Sequence, residues 1–262
     1  MQLHRRAVLA VLGATIALCG GVALFTSSPT GAGRPSVGEL ASANNEFAFD
    51  LYGRLAGEPG NLCLSPLSID MALAMARAGA RGRTADQITR TLHLPAGTRD
   101  IGFAVLLRDL DNKTVTGNQL VLANSLWIQR GLPVRRQFRK TLRDQYGAYL
   151  SAVDFGASAE TARQQINAWI ASATHGNIED MIRPGSVRSG TDLVVVSAVY
   201  FMGAWATPFD DDATRPLPFH LSSTETVSAP TMSTTGLFRY TATETMQSLE
   251  MPYASAAGER RP

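Results

Sequence analysis

Residues 192–202 read Asp-Leu-Val-Val-Val-Ser-Ala-Val-Tyr-Phe-Met, and no other part of the sequence says more about the fold. Apart from Asp192 and Ser197, the side chains are apolar or aromatic, and four of them are valines. Valine favours strands, and a near-continuous apolar run is typical of a strand that is covered on both faces. The stretch therefore predicts a buried strand in the middle of a sheet.

Two helix starts precede this strand. Ser36-Val37-Gly38-Glu39 has the form of a capping box, and the apolar spacing behind it predicts a helix to about Gly57. Ser65 followed by Pro66 is a typical helix N-cap with proline at the first helical position. Residues 67–80 are apolar almost all round. A helix of this kind must be buried on most sides.

The remaining elements mix helices and strands without regular alternation. Apolar spacing predicts further helices at 84–92 with Thr84 as cap, 100–110, 138–146 and 158–174, and strands at 61–64, 119–128, ending at 153–155, and around 219, 227, 238–240 and 248–251. This order predicts an α+β domain.

Composition bounds the functions that need consideration. The chain has 262 residues, 45% of them hydrophobic, which suffices for one large domain or two small ones. Its net charge of +2 gives no field strong enough to indicate binding to nucleic acid or to a membrane surface. We therefore predict no nucleic-acid partner, and a membrane contact only if the N-terminal segment is uncleaved. Only Lys113 and Lys140 are lysines, so arginine carries nearly all the positive charge. The densest group, Arg135, Arg136 and Arg139, is interpreted as the solvated face of a helix.

The N-terminus has the pattern of an export signal. Six residues that include two arginines precede an uncharged apolar run at 7–25. We interpret residues 1–26 as a signal peptide or an uncleaved membrane anchor, residues 27–38 as a flexible linker and residues 39–262 as the domain. The predicted location is therefore secreted or extracellular.

Details of this segment leave the mode of export open. Arg5-Arg6 resembles a bacterial twin-arginine signal, and Cys19 is a poor lipoprotein site because Leu18 precedes it. If the signal is removed, Cys63 is the remaining cysteine and no internal disulfide can form.

No arrangement of residues predicts an enzyme. Three histidines outside the leader have unrelated surroundings and no metal-ligand spacing: His93, His175 and His220. Three serines in apolar surroundings could serve a hydrolase as nucleophile, but no general base accompanies them: Ser65, Ser68 and Ser197. The acidic run 210–212 is interpreted as a solvated turn. We therefore predict no catalytic residue, no metal and no cofactor.

A series of motifs over residues 45–253 resembles the serpin family. In chain order they are Asn45-x-Phe47-x-x-x-Leu51-Tyr52, Asn61-Leu-Cys-Leu-Ser65-Pro66-Leu-Ser68-Ile69, Ala123-Asn124-Ser125-Leu126-Trp127, Val153-Asp154-Phe155 with Ile166-Asn167-x-Trp169-Ile170, Ala198-Val199-Tyr200-Phe201-x-Gly203-x-Trp205-x-x-Pro208-Phe209, and Leu249-Glu250-Met251-Pro252-Tyr253. The resemblance implies an incomplete serpin fold, with helices packed around a large mixed or antiparallel central sheet. Residues 192–202 would be the third strand of that sheet.

The resemblance also assigns candidate site residues. Ser65 and Ser68 fall where serpins place hydroxyls under the point at which the central sheet opens, the shutter-like region. Ser197 belongs to the same region but stands where the family usually has asparagine. A serine reaches less far and lacks the separate donor and acceptor of an amide. Trp205 matches the tryptophan of the breach-like region, where the reactive loop first enters the sheet.

Serpins inhibit serine proteases, and in some cases cysteine proteases, by inserting a cleaved reactive loop into the central sheet. The resemblance places the loop and its reactive bond beyond Pro262, so we expect a C-terminally truncated serpin that is not inhibitory itself. The alternatives are a non-inhibitory serpin-like binding or structural protein, or the product of a truncated gene. If four or five side chains of 194–201 lost their cover in such a chain, the cost would be on the order of 10 kcal/mol. We therefore expect the isolated chain to aggregate or to stay partly folded.

Overall fold

The structure is a computed structural model that describes residues 36–57, 60–95, 101–112 and 118–254. The predicted leader and the last residues of the chain lie outside this part. Val37 and Gly38, which were predicted as linker, belong to the first turn of a helix. The chain divides into two units, residues 1–113 with 120–201 and residues 114–119 with 202–262. In the described ranges, no helix is both long and apolar enough to span a bilayer.

The first unit consists of helices and one sheet. In chain order its described elements are α1 (Val37–Leu55), α2 (Pro66–Gly79), α3 (Gly82–Thr91), α4 (Ile101–Asn112), β1 (Gln119–Gln129), α5 (Arg136–Tyr146), β2 (Tyr149–Val153), α6 (Phe155–Ala173) and β3 (Leu193–Met202). The strands form a sheet in the order β2-β1-β3, in which β1 and β2 are parallel. The α+β class is confirmed.

Two hydrophobic cores cover the two faces of this sheet. The first core contains Met71 and Met75 of α2 together with Val195 of β3. The second core contains Ile166 and Ile170 of α6 together with Val194 and Val196 of β3. Side chains of a strand alternate between its faces, so neighbouring valines enter different cores. This arrangement explains why β3 is apolar without alternation.

Strand β3 is buried but does not lie in the middle of the described sheet. Seven consecutive residues, 194–200, are buried, so the condition under which these side chains would lose their cover is not met in the described structure. Among the described strands, β3 pairs with β1 and stands at the edge of the sheet. Within the described strands, β3 therefore does not occupy the predicted central position. A run of apolar residues indicates that both faces of a strand are covered. It does not indicate whether both edges of the strand are paired with neighbouring strands.

The capped helix starts follow the predicted chemistry, but the bounds of other elements differ from the prediction. The capping box of α1 is present, because Glu39 N donates to Ser36 Oγ over 3.2 Å and Ser36 N donates to Glu39 Oε2 over 2.7 Å. Ser65 caps α2 as predicted. Helix α3 begins at Gly82 rather than at Thr84. Helix α6 begins at Phe155 rather than at Ser158, because Asp154 caps it directly after β2 ends at Val153. Residues 61–64 belong to no strand in the described chain, since they form no ladder with another segment.

The second unit holds two antiparallel strand pairs in its described residues. Strand β4 (Asp210–His220) pairs with β5 (Thr226–Ser233), and β6 (Arg239–Ala242) pairs with β7 (Gln247–Glu250). All four lie where the sequence predicted strands. The acidic run 210–212, predicted as a turn, instead begins β4 and is exposed there.

Candidate functional site

Ser65 and Ser68 are joined at the start of α2. Ser65 Oγ donates to Ser68 Oγ over 3.3 Å, and the backbone N–H of Ser68 donates to Ser65 Oγ over 3.4 Å. Both residues are buried. The cap satisfies one of the N–H groups that have no acceptor within the helix. Helix capping thus accounts for the position of Ser65, and no histidine of the described chain hydrogen-bonds to either hydroxyl.

Ser197 lies on the face of β3 that belongs to the first core, because it alternates with Val195. The residue is 4% exposed, and its Oγ has no hydrogen-bond partner in the described part of the chain. Asn124 of β1 is on the same face of the sheet as Leu126, which also packs in the first core. Its Nδ2 donates to the carbonyl oxygen of Tyr146 over 3.0 Å, whereas its Oδ1 has no partner among the described residues. This face therefore holds two buried oxygen atoms with unused hydrogen-bonding capacity.

Asp70 is a buried carboxylate that was not among the predicted site residues. It lies in α2 with 1% of its surface exposed, and its Oδ2 accepts a hydrogen bond from Asn44 Nδ2 of α1 over 3.1 Å. Its Oδ1 has no partner in the residues that the structure describes. Burial raises the pKa of the Asp70 carboxyl to about 7, and the hydrogen bond from Asn44 offsets only part of this rise. A single acidic residue inside an otherwise apolar helix was the signal for this group.

Helix α6 is attached to the segment that follows it by polar side chains. Asn167 Nδ2 donates to the carbonyl oxygen of Ile182 over 2.9 Å, and the N–H of Ile182 donates to Asn167 Oδ1 over 2.9 Å. Arg163 Nη1 donates to the same carbonyl over 2.6 Å. The guanidinium also bonds Glu160, which lowers the pKa of that carboxyl. Both backbone groups of Ile182 are therefore satisfied by side chains of α6.

Trp205 belongs to the second unit and stacks on Tyr253. The ring centroids are 4.7 Å apart and the ring planes differ by 12°. The backbones of the two residues form an antiparallel bridge. Asn118 closes the arrangement, since its Nδ2 donates to Ala254 O and its Oδ1 accepts from Ala204 N. The motifs that contain Trp205 and Tyr253 are far apart in the sequence, but the stacked rings and the backbone bridge bring them into contact.

The structure brings together only part of the predicted site. Ser65 and Ser68 are bonded to each other, while the hydroxyl of Ser197 takes no part in their hydrogen bonds. Trp205 lies in the other unit. In the described chain, no group of histidine, cysteine and acidic residues could hold a metal ion. Asp70 and Asn124 are buried polar residues of this region to which the sequence alone gave no role.

The fold and motifs correspond to a known family. The family model described as "Serpin (serine protease inhibitor)" matches residues 42–259. The chain belongs to the serpin family.

Individual relatives agree with this assignment. An uncharacterized serpin-like protein of Thermococcus kodakarensis is 39% identical over 225 residues, which are 84% of this chain and 51% of that protein. The leukocyte elastase inhibitor of Xenopus tropicalis is 38% identical over 220 residues, 82% of this chain and 58% of that protein. The chain thus spans somewhat more than half the length of these relatives.

Solved structures show the same relationship. Emu ovalbumin superposes with a TM-score of 0.77 at 31% identity, covering 86% of this chain and 62% of ovalbumin. An Arabidopsis serpin in its native stressed conformation gives a TM-score of 0.77 at 28% identity, covering 85% of this chain and 58% of that serpin.

Proposed function

We propose that the described residues are the framework of a serpin-type inhibitor of a serine endopeptidase, or of a cysteine endopeptidase. The family assignment and the similarity to leukocyte elastase inhibitors support the proposed activity. In this mechanism the protease cuts an exposed loop, and the loop then joins the central sheet as an additional strand. The inhibitor is consumed, so the reaction is not catalytic turnover.

The edge of β3 is the observation that carries the proposal. Strand β3 is covered on both faces and pairs with β1 on one side, while its other edge has no partner among the described strands. An unpaired strand edge presents N–H and C=O groups to which an extended peptide can add. Because the faces are already covered, an added strand needs only edge hydrogen bonds and contacts with the flanking cores.

We further propose that the segment cut by the protease lies outside residues 1–262, so that these residues alone do not inhibit. A chimera tests this directly. Residues 36–254 are joined to the matching C-terminal remainder of the Xenopus tropicalis leukocyte elastase inhibitor, and chimera and chain are each incubated with elastase. We expect a complex stable on a denaturing gel from the chimera and none from the chain.

The other outcomes separate the alternatives. A folded chimera that forms no complex would favour a non-inhibitory binding or structural protein. A stable complex from the 262-residue chain alone would show that the reactive segment lies within it.

We also propose that the protein is exported. The charged start and the apolar run at 7–25 support this location. Expression of the chain in a bacterium, followed by mass spectrometry of the extracellular and membrane fractions, tests it. Cleavage near residue 26 is expected for a signal peptide, and an intact N-terminus in the membrane fraction indicates an anchor. Protein found only in the cytoplasm would contradict export.

A further inference from the structure

Helix α1 is attached to its neighbours by two contacts that involve ionisable side chains. In the first half of the helix, Asn44 donates to the buried carboxylate of Asp70 in α2 over 3.1 Å. Further along α1, the carboxylates of Glu46 and Asp50 contact the imidazole ring of His93, which follows the end of α3. We call the first of these the α2 contact and the second the α3 contact. Both belong to the first unit of the chain.

The α3 contact uses both nitrogen atoms of the imidazole ring. His93 Nδ1 lies 3.2 Å from Glu46 Oε2, and His93 Nε2 lies 2.9 Å from Asp50 Oδ2. A carboxylate only accepts hydrogen bonds, whereas a neutral imidazole has one N–H group to donate. Both contacts are therefore hydrogen bonds only when the ring is protonated and carries a positive charge.

The charges around His93 are mainly negative. Glu46 and Asp50 are about one helical turn apart on α1, so their like charges repel each other unless a cation lies between them. His93 also follows the last turn of α3, where the negative end of the helix dipole attracts a cation. Arg54 and Arg90 are the nearest basic residues along the two helices, and in the described chain neither forms an ion pair with the carboxylates. Loss of the ring proton thus removes an attraction and leaves the repulsion.

The first core, rather than α1, fixes the position of His93. Its neighbours Leu92 and Leu94 are both buried in that core. The backbone of His93 is left-handed, with φ at 49°, and its N–H donates to the carbonyl oxygen of Arg90 in α3. The ring therefore stays with the end of α3, and a movement of α1 away from it breaks the α3 contact.

The α2 contact responds to pH in the same direction. Asp70 has no ion-pair partner among the described residues, and Asn44 is the group that donates to its carboxylate there. Burial raises the pKa of Asp70 to about 7. A charged carboxylate is strongly disfavoured in a buried site. Movement of α1 away from α2 would admit water to this carboxylate, so ionisation of Asp70 favours that movement.

Apolar contacts hold α1 only over part of its length. Of its 19 residues, Leu40, Ala43 and Phe47 are buried, whereas Phe49 and Tyr52 are exposed. A segment with few buried apolar side chains can open without unfolding of the whole domain. The two polar contacts therefore contribute a substantial part of the attachment of α1.

We propose that α1 is a pH-sensitive element of the fold, whose attachment to α2 and α3 weakens as the pH rises from about 5.5 to about 8, so that α1 opens while the rest of the first unit stays folded. Histidine side chains change their charge between about pH 5 and pH 8. A rise in pH through this range removes the proton from His93 and ionises Asp70, so the two contacts weaken together.

Hydrogen exchange of the full chain, measured by mass spectrometry at about pH 5.5 and about pH 8, tests the proposal. Protection factors are used because they remove the intrinsic effect of pH on exchange. Helix α6 serves as the reference for opening of the whole unit. We expect the protection of α1 to fall by about tenfold or more between the two pH values, and to be lower than that of α6 at about pH 8.

Variants assign the effect to the two contacts. Asp70→Asn keeps the shape of the side chain without its charge, and His93→Gln keeps a hydrogen-bond donor that cannot be protonated. Each should reduce the pH dependence of α1 protection, and the double variant should reduce it to about twofold or less. The controls Asp86→Asn and His175→Gln remove an exposed carboxylate and an exposed imidazole, and they should keep the wild-type profile.

Three results would overturn the proposal. Equal protection of α1 and α6 at about pH 8 would show that α1 opens only when the whole unit unfolds. Protection of α1 that is the same at both pH values would show that neither contact responds to pH. A His93→Gln profile that matches the wild type would show that the α3 contact takes no part, whatever Asp70 contributes to overall stability.

Discussion

Replacing Asp70 by asparagine should stabilise the protein, and the gain should depend on pH. Asp70 is 1% exposed, and only one of its carboxyl oxygens has a hydrogen-bond partner in the described structure. Burial raises its pKa from 3.8 to about 7. At about 1.4 kcal/mol per pKa unit, the ionised carboxylate destabilises the folded state by about 4 kcal/mol. Asp70→Asn removes the charge and keeps an oxygen that can accept from Asn44.

The direction of the pH dependence follows from the raised pKa. Below about pH 4 the carboxyl is protonated in both the folded and the unfolded state, and it contributes no difference. Between about pH 4 and pH 7 the unfolded chain releases the proton while the folded protein keeps it, so stability falls as pH rises. Above about pH 7 both states are ionised and the loss is complete.

Urea unfolding of wild type and Asp70→Asn at two pH values measures this effect. The stabilisation by the variant should be about 2 kcal/mol larger at about pH 8 than at about pH 5.5. The control Asp86→Asn removes an exposed carboxylate from α3 and reports any general effect of lost negative charge. If Asp70→Asn changes the free energy of unfolding equally at both pH values, the pKa of Asp70 is not raised in the folded protein.

Three further substitutions test the polar contacts of the first unit. Asn167→Ala leaves the N–H of Ile182 without its acceptor, whereas Arg163 still donates to the Ile182 carbonyl. It should lower the free energy of unfolding by about 1–2 kcal/mol, measured by urea denaturation against the exposed control Gln165→Ala. Ser197→Ala removes a buried hydroxyl that has no hydrogen-bond partner in the described chain. It should raise the free energy of unfolding by about 1 kcal/mol. A decrease of that size would show that the hydroxyl has a hydrogen-bond partner. Ser68→Ala removes a hydrogen-bonded hydroxyl and should lower the free energy of unfolding by about 1 kcal/mol in the same urea experiments. Equal effects of the two serine variants would contradict the assigned hydrogen bonds.

The elements that the sequence predicted well are those set by local chemistry. The capping box at Ser36 and the Ser65-Pro66 start depend on residues within one helical turn, so their chemistry is visible in the sequence. The inner face of α6 is also local, because Ile166 and Ile170 recur at helical spacing and both are buried. The α+β class followed from the order of such elements.

The site was less predictable because it depends on contacts between distant segments. The apolar residues of α2 around Asp70 predicted burial correctly, but only the packing of α1 supplies Asn44, which is 26 residues away in sequence. The stacking of Trp205 on Tyr253 likewise joins segments that share no periodic signal. The sequence shows that Ser197 departs from the family pattern. That its hydroxyl has no hydrogen-bond partner among the described residues depends on how β3 packs against its neighbouring elements.

Strand β3 shows why burial and pairing must be treated separately. Apolar content determines whether the faces of a strand can be covered, and α2 and α6 lie against the two faces of this one. Pairing depends on which backbone lies alongside, and this depends on topology rather than on side-chain type. A strand can therefore be fully buried by side-chain contacts and still have an edge free for another strand, as β3 has within the described sheet. The proposed inhibitory mechanism needs this combination, because an added strand must find a stable neighbour with an unused edge.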